Sequence, residues 1–186
     1  MDEVFSHTFK AISKRQDERR AEGRRLWQQR LGTASEFCRA VVSNGYLTEE
    51  QMQRAAQRYR LGASRDGGVI FWQIDEFDQL RNGKIMHYRP DCHHDRKPTW
   101  TAYLLRKHGL LPKDWNTDHC LFGLHLLMED VRWKMADVKV AVVEAEKTAV
   151  IMSEVKPEYI WLATGGKTEL NVAKLRPPRA SGLRRV

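Results

Sequence analysis

The spacing of apolar residues changes period several times along this chain, and each change marks an element. Thr33 to Val42 carries Phe37, Ala40 and Val41 at helical spacing, and Thr48 to Tyr59 carries Met52, Ala55, Ala56 and Tyr59. Asn44-Gly45 closes the first helix; Thr48, with Gln51 three residues on, makes a capping-box start for the second. Together they predict a helical hairpin that packs onto a neighbouring layer. Asp66-Gly67-Gly68 then breaks the pattern, and Val69 to Ile74 and Lys84 to Tyr88 read as strands. Asp75–Asp78 and Asn82-Gly83 both offer turn residues; the first is the preferred hairpin turn, with Asn82-Gly83 as a bulge in the second strand. Residues 90–99 and 112–116 read as loops and Trp100 to His108 as helical. Cys120 to Leu127 is apolar, with Gly123 leaving strand or helix open.

Towards the C-terminus, Val138 to Val143 is a β-branched run that predicts a buried strand, and it stops at Glu144. A short helical pattern follows, then Tyr159 to Ala163 as a second strand ending in Thr164-Gly165-Gly166. This is a βαβ unit with an acid at the carboxyl end of its first strand, where α/β sheets place catalytic and ligand-binding groups. At the other end of the chain, residues 5–30 predict a polar helix in which Arg and Lys outnumber Asp17, Glu18 and Glu22. Such a helix can lie along phosphates. A solvated helix whose cations pair with acids one turn away is the preferred reading. The predicted class is therefore α+β, in three segments. Residues 1–64 are the basic helical region, 65–130 an α+β region built on the β-hairpin, and 131–186 an incomplete βαβ unit with a basic tail.

Composition narrows the functional classes. At 186 residues with 41% hydrophobic content, the chain suits one domain or a domain with an appendage. No run approaches a membrane span, no secretory pattern opens the chain, and Cys38, Cys92 and Cys120 argue against a disulfide framework. A reducing cytoplasm is the expected compartment. A net charge of +8 favours a polyanionic partner, the alternative being a protein that is merely basic.

The strand, Glu144-Ala145-Glu146, helix, strand and Gly165-Gly166 series resembles the opening of a toprim domain, the catalytic module of bacterial and phage-type DNA primases. Arg58-Tyr59-Arg60-Leu61-Gly62 and the strands from Gly68 resemble the segment that precedes it. Ile74-Asp75-Glu76, Gly83-Lys84-Ile85-Met86 and Cys120-Leu-Phe122-Gly123 resemble a primase-like family of bacterial mobile elements, as do Val143-Glu144 with Glu146-Lys-Thr148 and Trp161-Leu-Ala163 with Gly165-Gly166. The resemblance covers roughly residues 58–175. Ala145 replaces the usual Gly, and Thr148 stands where many members carry Asp. A toprim domain also needs a later Asp-x-Asp for Mg²⁺, whereas after Gly166 this chain has Glu169 and no Asp. The resemblance implies a Mg²⁺ site left incomplete, and a chain cut off before that site is finished.

Within that reading Glu144 is the candidate catalytic and Mg²⁺-binding residue; otherwise it is a solvent-facing acid favoured by a helix N-terminus. Glu146 is assigned to the helix start. Gly165, Gly166 and Lys167 form a candidate phosphate-proximal loop. They are not a Walker A loop, because Trp161 stands where its first Gly belongs. Lys84, His87, Arg89, Arg96, Lys97 and Trp100 form a basic and aromatic cluster suited to single-stranded DNA or RNA. Equally, Tyr88 and Trp100 could be core residues beside a solvated loop. His87, Cys92, His93, His94, His119, Cys120 and His125 raise zinc, but only three of them are closely spaced, which argues against it. The expected function is a nucleic-acid-binding, primase-like protein that is not a competent polymerase. A non-catalytic interaction or regulatory module that does not bind nucleic acid is the alternative. An open edge on the Tyr159–Ala163 strand predicts a homo-oligomer or an aggregation-prone monomer.

Overall fold

The computed structural model describes residues 32–110, 118–127 and 139–166, together with Glu18 and Ala21. Those two positions, both helical, are all of the basic N-terminal helix that falls within the described residues. The 112–116 loop, Lys167 and the basic tail lie outside them.

Local chemistry sets the helical hairpin. Helix α1 (Glu36–Ser43) begins at Ser35, whose hydroxyl accepts the Cys38 N–H, and ends at Asn44 with Gly45 at φ 70°. Helix α2 (Glu49–Arg58) begins with the Thr48–Gln51 capping box, both halves of it formed. Phe37 and Val41 of α1 and Met52 and Ala55 of α2 face inward.

Strands β1 (Gly62–Ala63), β2 (Val69–Ile74), β3 (Leu80–Met86) and β4 (Thr99–Trp100) make an antiparallel sheet in that order. The β2–β3 turn lies at Asp75–Asp78, as expected. The Asp75 carboxylate accepts the N–H groups of Phe77 and Gln79, and Asp78 takes φ 61°. The rest of the hairpin corrects the sequence reading. The second strand starts at Leu80, and the register passes from Gln73↔Asn82 to Ile74↔Leu80, so the extra residue is Arg81. Gly83 pairs with Trp72 inside the strand instead, and a Cβ there would lie 2.6 Å from a Trp72 ring carbon. It is glycine for close approach of a ring, not for a turn. Beside it, Asn82 Oδ1 accepts the Ala102 N–H and fastens the start of helix α3 (Thr101–Lys107) to the sheet.

Alternation along β2 feeds two cores. Val69 and Phe71 join a large cluster with the helical hairpin, while Ile70, Trp72 and Ile74 join a smaller one with Leu80, Ile85 and Leu104. Every residue of β2 is buried, because both faces of the sheet are covered.

The C-terminal unit is β5 (Lys139–Val143), helix α4 (Glu146–Val155) and β6 (Tyr159–Ala163). Its strands are parallel, from Lys139↔Tyr159 to Val143↔Ala163. The Cys120–Leu127 segment is neither a full strand nor a full helix. Phe122 bridges Ala163, Gly123 turns the chain at φ 83°, and a helical turn follows.

Two expectations about this unit are corrected. Strand β5 is not buried: it is the outer partner of β6 among the described residues, and Val140 and Val142 are exposed. Strand β6 does not offer the predicted open edge. Tyr59 Oη donates to Trp161 O at 2.7 Å, and Phe122 exchanges backbone hydrogen bonds of 2.9 and 3.1 Å with Ala163. Tyr59 also stacks on Phe122, with ring centroids 5.0 Å apart. The large cluster draws on all three predicted segments, through Phe37, Phe71 and Val150 among others. Among the described residues no helix is long and apolar enough to cross a membrane.

Candidate functional site

Two periodicities meet behind the sheet. Ile85 faces the smaller core, so its neighbour Lys84 faces the larger one, towards α4. The buried stripe of α4 is Glu146, Ala149, Val150 and Ser153, the i, i+3, i+4, i+7 spacing of a helix face. Glu146 therefore points inward. Lys84 Nζ lies 3.1 and 3.2 Å from the two Glu146 carboxylate oxygens and donates to Gly165 O at 2.9 Å. The two side chains are only 10% and 5% exposed, so the charges are compensated by each other and by little water.

Gly165 is demanded by its surroundings. It has φ 84°, its N–H donates to Glu144 O at 2.9 Å, and a Cβ would lie 3.0 Å from Glu146 Oε1. The predicted Gly165-Gly166 turn thus exists, and it closes over an ion pair. Lys147 donates to Cys92 O at 2.9 Å and lies over the Tyr88 ring; His94 meets the same ring edge-on. Burial, then the charges of Lys147 and Lys84, hold the His94 imidazole below its usual range. Burial and the Glu146 charge push the Tyr88 phenol up, keeping it neutral.

Glu144 is exposed, and it enters this arrangement through its backbone oxygen. The acid that the fold builds in is Glu146, assigned from sequence to the helix start alone. The signal was available in its helical phase with Ala149, Val150 and Ser153.

The basic cluster is split by the same alternation. Lys84 and His87 are buried, which removes both from a phosphate-contacting surface. His87 packs over Gly68, with Nε2 3.0 Å from Asp66 Oδ2 but without a well-directed hydrogen bond. Arg89, Arg96 and Lys97 remain exposed; Arg89 is 3.2 Å from Asp91, and Arg96 is 3.7 Å from Asp66. Tyr88 belongs to the large core, whereas Trp100 is half-buried and packs edge-on against His119 at 4.4 Å. The His and Cys residues have separate occupations. His93 contacts Asp91, His119 bonds Gln73 Oε1, and Cys92 is a core residue. His125 sits 3.3 Å from Arg58 O, and burial, with the Arg60 charge, drives its pKa down to about 4.

Residues 35–181 match the family described as a domain of unknown function, DUF6371. The chain belongs to this family. No curated protein and no solved structure matches it. The DUF6371 segment opens at Ser35, the residue that caps α1, and takes in Lys84, Glu146 and Gly165, leaving the Arg-rich N-terminal stretch outside.

Proposed function

We propose that this DUF6371 protein binds single-stranded nucleic acid as a primase-like protein of a mobile element, with its toprim-like βαβ unit serving as scaffold and not as a phosphoryl-transfer centre. The Lys84–Glu146 ion pair supports the scaffold part of this reading, and the exposed cations support the binding part. Both Glu146 oxygens face an ammonium, whereas Glu144 is exposed, so the two acids of the Glu-x-Glu pattern sit in different surroundings. Such a turn is a poor fit for Mg²⁺, which prefers an octahedral set of oxygens around it. Binding falls to the exposed cations Arg89, Arg96 and Lys97, supported by the net charge of +8.

Fluorescence anisotropy with labelled oligonucleotides over a salt series tests this. The wild type should bind weakly, with little sequence preference, and release as salt rises. Replacing Arg89, Arg96 and Lys97 together by Gln should lower the slope of log K against log salt by about 2, at roughly 0.7 per phosphate contact on a single strand. An unchanged slope, or no binding at low salt, contradicts the proposal. The second reading, an interaction module that does not bind nucleic acid, rests on the exposed Val140 and Val142 of β5, the outer strand of its pair among the described residues and so suited to pairing with another chain. On that reading homo-oligomerisation uses β5 and not β6.

A further inference from the structure

The sheet face opposite Lys84 borders a cavity of about 660 Å³. Ile70, Trp72 and Ile85 form its floor, and Leu104 and Leu105 of α3 its far wall. Arg65, Asp66, His87 and Arg96 also line it and supply its polar side. The volume falls within the roughly 300–1,000 Å³ typical of small-molecule sites, and the apolar lining with a few polar groups is their usual chemistry.

The charge of the lining is independent of its volume. Among the described residues Asp66 is the one acid of the lining, and it is engaged by Ser64 Oγ at 2.6 Å and approached by His87 and Arg96. Arg65 and Arg96 leave a cationic balance beside it.

We infer that this cavity receives one nucleotide unit. The heteroaromatic base lies between the sheet face, with its Trp72 ring, and α3, and the phosphate meets Arg65 and Arg96. A flat apolar body satisfies the Trp, Ile and Leu walls, and an anion satisfies the arginines. The inference rests on the nucleic-acid reading and gives it a specific pocket. The unit could come from a free mononucleotide or from a strand, and the two sources are separable.

The test is a ¹H–¹⁵N titration of the indole N–H signals, one for each of the six tryptophans. Loss of one signal in Trp72→Phe assigns the reporter. The wild type is titrated with the nucleoside monophosphates, and separately with oligothymidylate and oligoadenylate, alongside anisotropy on the same strands. Movement of the Trp72 signal with strands alone, or with monophosphates as well, supports the pocket and names the source. Leu105→Phe, which narrows the cavity at a half-buried helix position, should weaken that binding at least tenfold while the other indole signals stay in place. Strand binding with the Trp72 signal unmoved, and with Leu105→Phe equal to wild type, would overturn the pocket and leave nucleic-acid binding intact. Monophosphates moving Trp72 without any strand binding would keep the pocket and overturn the nucleic-acid reading. No response to any probe overturns both.

Discussion

Replacing Glu146 by Gln is the sharpest perturbation of the folded state, because it removes one charge from a pair that is closed to water. Lys84 Nζ makes three polar contacts, two to Glu146 and one to Gly165 O, and the pair is 10% and 5% exposed. Breaking one side of a buried pair typically costs about 3–5 kcal/mol, since the remaining charge keeps its desolvation penalty. Gln retains an acceptor oxygen, so the expected loss is near the lower end, about 3 kcal/mol. At roughly 2–4 °C per kcal/mol for a chain of this size, the thermal midpoint should fall by about 6–12 °C. Lys84→Met should cost a similar amount by stranding the carboxylate. The double variant Lys84→Met/Glu146→Leu should return to within about 1 kcal/mol of wild type, because an apolar pair of similar volume often replaces a buried ion pair at little cost. Chemical denaturation of these proteins, with the single variant Glu146→Leu added to close the cycle, gives the coupling energy directly. Single variants within about 0.5 kcal/mol of wild type would refute the argument, since they would mean that the two groups are solvated or interchangeable.

Three further outcomes follow from the same geometry. Glu144→Gln, at an exposed strand end, should change stability by less than about 0.5 kcal/mol in the same denaturation assay. Tyr59→Phe should cost about 1–3 kcal/mol by leaving Trp161 O, on the covered edge of β6, without its donor, and equilibrium unfolding reads this out. His125 titrates near 4 when folded and near 6.5 when unfolded, so between those values the unfolded chain binds the extra proton. Its contribution is therefore fully present above about pH 6.5 and lost as the pH falls through 4. It amounts to on the order of 3 kcal/mol, and unfolding of wild type and His125→Gln across that window measures it.

Much of the fold was written locally. The Thr48–Gln51 box, the Asp75–Asp78 turn and the two strands around Glu144 each depend on neighbours in sequence, and each formed where its residues pointed. What was not legible depended on partners distant along the chain. Gly83 looked like a turn or bulge residue because nothing nearby shows that the Trp72 ring will lie over it. Lys84 looked like a surface cation because its alternation was not combined with the helical phase of Glu146, 62 positions away. The Tyr159–Ala163 edge looked open because its cover is a tyrosine hydroxyl from the end of α2. Arg89, Arg96 and Lys97 remained exposed because they sit on the loop beyond the strand, where alternation no longer buries one residue in two.

The most direct test of the account is one gel assay: an end-labelled single strand incubated at low salt with the purified chain, Mg²⁺ and nucleoside triphosphates, then run both native and denatured. The account predicts retardation in the native lane and a strand of unchanged length in the denatured one. Extended or cleaved products that depend on Mg²⁺ and vanish in Glu144→Gln would contradict it, by showing that the exposed acid belongs to a working phosphoryl-transfer site.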